Sequence, residues 1–112
     1  MPNAAIFPAG NQPERRRAPR LLRDVALVVR GESPEHLPFQ EETFTISISA
    51  QGALVLLAAR VTPGQRLILS NPATSGTIEC RVARFGPLYG GLAQVGVEFS
   101  EPAPEFWQPG LL

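Results

Sequence analysis

The sequence predicts an all-β domain: a six-stranded antiparallel β-barrel followed by a short C-terminal helical turn. Three observations predict it. Apolar residues recur with a period of two over several short segments, the mark of strands with one buried face. The 12 prolines and 10 glycines fall mostly between those segments, where turns need them. No stretch carries apolar residues at helical spacing for long. In a chain of 112 residues, a closed or nearly closed barrel buries one face of such a sheet and removes its edges.

The elements follow in order. Residues 1–13, rich in Pro, Asn and Ala, read as a flexible tail; 14–108 read as one domain, and 109–112 as a short C-terminal tail. ERRRAPRLLR comes next, with Pro19 biasing Ala18 away from helix, so this segment is expected to be extended or turned. In LRDVALVVR, residues Val25, Leu27 and Val29 form one apolar face. GESPEHLPFQ reads as a loop. In TFTISIS, Phe44, Ile46 and Ile48 are expected to face inward, with Thr43, Thr45, Ser47 and Ser49 outward. Ala50-Gln51-Gly52 breaks the alternation. ALVLLA is a buried strand, and TPGQ a tight turn built on Pro63 and Gly64. RLILS is a short strand and NPATSG a loop. TIECRVARF carries Ile78, Cys80 and Val82 on one face, and GPLYGG connects it to AQVGVEF, with Val95, Val97 and Phe99 inward. SEPAPEFWQPG is expected to form one helical turn capped by Ser100, tolerant of Pro102 in its first turn and stopped by Pro109. Phe106 and Trp107 read as a plug over an open end or edge of the sheet.

Composition narrows the function. Hydrophobic residues make up 44% of the chain and charged residues 18%, which is the balance of a globular protein. A formal net charge of zero argues against a general DNA- or RNA-binding surface, which needs a broad basic field. The single cysteine excludes an intrachain disulfide. MPNAAIFPAGNQPE has no basic stretch followed by a long apolar one, and no apolar run approaches the ~20 residues of a membrane span. A cytoplasmic protein without membrane insertion is expected. Enzymatic chemistry finds no footing. His36 stands alone in a Pro- and Glu-rich loop, Cys80 lies on an apolar face, and Glu41 and Glu42 point to opposite sides of a strand. One Cys and one His do not make metal-ligand spacing, so neither a metal nor a cofactor is expected.

The arginines remain. Arg15, Arg16, Arg17, Arg20 and Arg23 are half of the 10 basic residues in the chain. A guanidinium offers a planar fork of donors that matches a phosphate or the O6/N7 edge of a guanine. Arg16 and Arg20, separated by three residues in a proline-broken segment just before a strand, supply two such forks. A second constellation is Ser47-Ile48-Ser49-Ala50-Gln51-Gly52. Ser47 and Ser49 share one strand face, and Gly52 lets the backbone turn sharply or approach a ligand closely.

Together, RRAPR (Arg16 to Arg20) and SISAQG (Ser47 to Gly52) resemble the paired signature of PilZ domains. GALVLLA, PGQRLIL, CRVARFGP and VGVEF resemble the family too, in order and spacing, so the likeness spans roughly residues 14 to 107. The resemblance implies a six-stranded antiparallel barrel and, for many members, a receptor for the bacterial second messenger cyclic di-GMP. It places Arg16 and Arg20 at phosphates and guanine Hoogsteen edges, and Ser49 and Gly52 at the phosphate and ribose side on the outer barrel surface. Arg15 and Arg17 supply supporting charge. Ser47 stands where the family has Asp or Asn; its shorter reach forgoes a ligand bond of about 1–3 kcal/mol. The implied mechanism is that nucleotide binding folds the arginine-rich segment onto the barrel, whose surface then meets a separate effector protein in motility, secretion or exopolysaccharide synthesis. The alternative is a degenerate PilZ adaptor that binds a protein partner and no nucleotide.

Overall fold

The computed structural model of the protein describes residues 19–112, so the expected tail over 1–13 lies outside the described residues. Seven strands run in chain order: β1 (Leu21–Leu22), β2 (Ala26–Glu32), β3 (Pro38–Ser49), β4 (Gly52–Leu57), β5 (Arg66–Asn71), β6 (Gly76–Phe85) and β7 (Ala93–Phe99), and a 3-10 turn spans Pro104–Phe106. Their order in the sheet is β1-β3-β2-β5-β6-β7-β4, and β4 pairs back onto β3. β2 to β7 therefore close into an antiparallel six-stranded barrel with no free edge. The seventh strand, β1, is a two-residue addition to β3.

The period of two builds the core as read. Leu27, Val29, Val55, Leu57, Leu67, Leu69, Val82, Val95 and Val97 are all buried inside the barrel. The Pro63-Gly64 turn also forms: Gln65 N donates to Thr62 O at 3.2 Å, and Gly64 takes φ 82°. A residue with a side chain would be strained in that left-handed conformation.

Four local expectations are corrected. The GESPEHLPFQ loop is shorter than its composition suggests. β2 and β3 stay paired through Gly31↔Phe39 and Glu32↔Pro38, so the connection is only residues 33–37. Proline costs little as the first residue of a strand, which is where Pro38 sits. The LRDVALVVR segment is not one strand but two, β1 and β2, interrupted at Arg23–Val25.

The third correction concerns TFTISIS. A bulge shifts the β3–β4 register between Thr45 and Ser47. One extra residue inverts the side-chain alternation beyond it. Before the bulge, Thr43 and Thr45 are buried and Phe44 is 55% exposed; after it, Ile48 is buried in the core. Phe44, Ile46 and Ile48 thus do not share an inward face. The buried threonines are satisfied: Thr43 Oγ1 donates to Leu56 O at 2.5 Å, and Thr45 Oγ1 donates to Arg23 O at 2.6 Å and accepts from Val25 N at 2.9 Å.

The fourth lies at the C-terminus. The helical turn is a 3-10 turn that starts from Ala103 with Pro104 in first position, and Ser100 is not its cap. The plug itself is as read. β3, β5 and β7 end, and β4 and β6 begin, at the same end of the barrel, and the chain leaving β7 folds into it. Phe106 and Trp107 are buried there against Phe99, with ring centroids 4.9 to 6.2 Å apart. Asn71, at the end of β5, is fully buried. It donates through Nδ2 to Phe106 O at 2.8 Å and accepts from Ala73 N at 3.0 Å.

Candidate functional site

The two motifs are nearly thirty residues apart in the chain, and β1 joins them. Leu21 pairs with Ile48 and Leu22 with Ser47. Arg20 directly precedes this pairing and is exposed; one more step of the same antiparallel register leads to Ser49. The structure thus brings Arg20 to the end of β3 that carries Ser47 and Ser49. Arg15, Arg16 and Arg17 lie outside the described residues.

What holds so short a strand is the interruption behind it. Across Arg23–Val25 the chain leaves the register of β3, because three residues separate Leu22 from Ala26 where only Thr45 and Ile46 separate their partners Ser47 and Phe44. Thr45 bridges the gap with its hydroxyl, bonded to both Arg23 O and Val25 N, while Thr45 N donates to Val25 O at 3.0 Å and Arg23 N donates to Ile46 O at 3.2 Å. Thr45 is the positioning residue that alternation alone misses, since its place in the strand reads as outward. A bulge has no local sequence mark that would reveal it.

Ser47 is 8% exposed, between Leu22 of β1 and Leu54 of β4, which both pair with it. Ser49 is half-buried, and its Oγ accepts a bond from Gln51 N at 3.1 Å that shapes the turn into β4. The expected open hydroxyl face is corrected accordingly: Ser47 is buried between two paired strands, and Ser49 is the more accessible of the two serines.

Gly52 has a structural reason of its own. It pairs with Glu98 on β7, and a Cβ built on it would stand 2.1 Å from Val97 O. Backbone from the neighbouring strand fills the space where a side chain would go. The glycine is required by the β4–β7 approach, ahead of any approach to a ligand. From Gly52 the cross-strand row continues over Glu98, Arg81 and Arg66, all exposed. The outer surface beside the turn therefore carries charges of both signs.

The groups that could support other chemistry are committed elsewhere. His36 sits in the β2–β3 hairpin with its side chain 87% exposed, 3.5 Å from Glu32. Cys80 is buried, and desolvation, followed by the neighbouring Glu79 charge, pushes its thiol up to about 12, so no thiolate forms near neutrality. Glu41 accepts bonds from Ala58 N and Ala59 N at 2.6 and 3.0 Å, tying off the end of β4. Glu35 is ion-paired with Arg60, and that hydrogen bond holds its carboxyl below the usual range. Among the described residues no group of three or more His, Cys, Asp or Glu could hold a metal ion, and no helix is long and apolar enough to cross a membrane.

The arrangement suits a ligand with planar polar edges and negative charge. Arg20, whose guanidinium is a planar fork of donors, lies exposed at the β1 edge of this surface, and the half-buried Ser49 lies where β3 turns into β4.

Comparison with known proteins agrees with this architecture. No curated protein matches the chain. Among solved structures, the K. pneumonia MrkH–c-di-GMP complex is similar with a TM-score of 0.58 and 18% identity, over 78% of this chain and 45% of MrkH. The Bacillus subtilis inhibitor of motility, MotI/DgrA, is similar with a TM-score of 0.57 and 24% identity, over 82% of this chain and 45% of that one. At these identities the likeness is one of fold, and this chain spans less than half the length of either neighbour. The family model of the PilZ domain matches residues 14–106, which takes in both motifs, all seven strands and the C-terminal turn. With its closed barrel and with Arg20 brought beside Ser47–Gly52, the chain belongs to the PilZ domain family.

Proposed function

We propose that the protein is a receptor for cyclic di-GMP, and that Arg16 and Arg20 grip the phosphates and guanine edges of the nucleotide against Ser47, Ser49 and Gly52. The observation that carries this reading is the β1–β3 pairing, which sets Arg20 beside the second motif. The family supports it, as does the fold shared with MrkH, whose structure was solved with c-di-GMP. Nucleotide binding draws the arginine segment onto the barrel, Arg15 and Arg17 add attractive charge, and the resulting surface meets a separate effector protein. The fold shared with an inhibitor of motility is consistent with such a protein partner. The ligand is a dianion with guanine bases, which explains why a neutral chain gathers forked cations in one segment.

Calorimetric titration with cyclic di-GMP tests the proposal. Wild type binds. Arg20→Ala weakens binding by about tenfold to a hundredfold, the worth of a charge-assisted bond. His36→Ala, far from the motifs in the β2–β3 hairpin, binds as wild type does. Ser47→Asn restores the longer side chain and tightens binding by about tenfold. A wild-type titration without heat at high micromolar nucleotide refutes the receptor reading and leaves the protein-interaction adaptor, a reading that the short, buried Ser47 side chain favours.

A further inference from the structure

The turn that carries Ser49 is held from behind by the C-terminal segment. Three consecutive carbonyls of the turn accept bonds from this segment and the end of β7 that leads into it: Ser49 O from Trp107 Nε1 at 2.7 Å, Ala50 O from Ala103 N at 2.6 Å, and Gln51 O from Phe99 N, the last residue of β7, at 2.8 Å. The first of these donors is a side chain, so it can be removed without touching the backbone. Trp107 is 1% exposed and wedged against Phe99 and Phe106. Its indole therefore cannot turn away without disturbing the whole aromatic cluster. On its other side, the segment is tied to β5 and the β5–β6 turn, because Phe106 O accepts from both Asn71 Nδ2 at 2.8 Å and Thr74 Oγ1 at 3.2 Å.

We propose that Trp107 is a positioning residue for the nucleotide site. Its indole N–H fixes the Ser49 carbonyl and so sets the direction of the Ser49 hydroxyl and of the backbone leading to Gly52. Coupling of this kind is reciprocal: occupancy at Ser49 restrains Trp107, and anything that shifts the C-terminal segment alters nucleotide affinity. Residues 99–107 are then the segment through which binding reaches the far side of the barrel end. The inference rests on the receptor reading above.

The test separates positioning from plugging. Trp107→Phe keeps an aromatic ring in the cluster and removes the N–H. It lowers cyclic di-GMP affinity about fivefold to tenfold, the worth of one neutral hydrogen bond, besides lowering stability. Val82→Ala, a core truncation away from the turn, lowers stability and leaves affinity unchanged. The chain's 1 tryptophan gives a single indole resonance, which in wild-type protein shifts on titration and saturates with the nucleotide. An unmoved indole resonance in a protein that binds nucleotide overturns the inference alone, even if Trp107→Phe fails to fold. So does a folded Trp107→Phe variant that binds as wild type does, or one whose loss of affinity Val82→Ala reproduces. A wild-type protein that binds no cyclic di-GMP overturns the receptor reading and this inference with it.

Discussion

Replacing Gly52 with alanine separates two roles of the motif glycine, one serving the barrel and one serving the ligand. The new Cβ would stand 2.1 Å from Val97 O, 3.1 Å from Val97 C and 3.2 Å from the Glu98 Cα. A carbon–oxygen contact of even the close interstrand type needs about 3.3 Å, so β4 and β7 must part by roughly 1 Å at this point. Neither obstacle is a side chain that can swing away. Overpacking of this kind costs about 1–3 kcal/mol, and weakening a ladder bond nearby adds about 1 kcal/mol. The lower entropy of the unfolded alanine chain returns about 0.5–1 kcal/mol. The net loss is about 1–3.5 kcal/mol, or roughly 5–25 °C in Tm for a domain of this size.

Gly96→Ala is the matched control. Its Cβ would meet Arg84 Cγ at 2.9 Å, and Arg84 is an exposed side chain free to adjust. Urea unfolding should place Gly96→Ala within about 1 kcal/mol of wild type and Gly52→Ala well below both. A Gly52→Ala protein as stable as wild type, but unable to bind cyclic di-GMP, would refute the steric argument and return the glycine to the ligand.

Two further predictions concern groups that the barrel buries. Thr45→Val removes the hydroxyl that serves both Arg23 O and Val25 N; unfolding experiments should show a loss of about 2 kcal/mol, and nucleotide affinity should fall as β1 loosens. Unchanged protection of the Leu21 and Leu22 region in hydrogen exchange would argue against that role. Cys80 predicts an alkaline loss of stability. Unfolding returns the thiol from about 12 to its ordinary 9.0, so above pH 9 the unfolded chain releases a proton that the folded chain keeps. Stability then falls with rising pH between those values, by about 1.4 kcal/mol per unit. Urea midpoints measured from pH 8 to above pH 10 should show that slope in wild type and a shallower one in Cys80→Ala; identical slopes would exclude Cys80 as the source.

Much of the barrel and both motifs were legible in the chain itself, because each rests on local rules. Alternation with period two marked Leu27 and Val29, Cys80 and Val82, and Val95, Val97 and Phe99 as inward. Pro63-Gly64 announced a turn that needs a left-handed residue, and RRAPR with SISAQG carried the resemblance to the PilZ family, whose model matches residues 14–106. What alternation could not carry was its own interruption. The bulge after Thr45 sends Phe44 outward and Thr45 inward while leaving Ile48 in the core, a change of parity that depends on how β3 meets β4.

The same distinction runs through the site. The chain alone determined which residues are chemically suited to a guanine and phosphate ligand, since forked donors and hydroxyls are properties of residue types. Only the tertiary structure decided that a two-residue strand brings Arg20 to the end of β3 that carries Ser49, that Ser47 is buried, that Val97 requires Gly52 to be glycine, and that Trp107 holds the Ser49 carbonyl. Each of these depends on atoms brought close from distant parts of the chain, where cross-strand register and steric exclusion, not local propensity, decide the outcome.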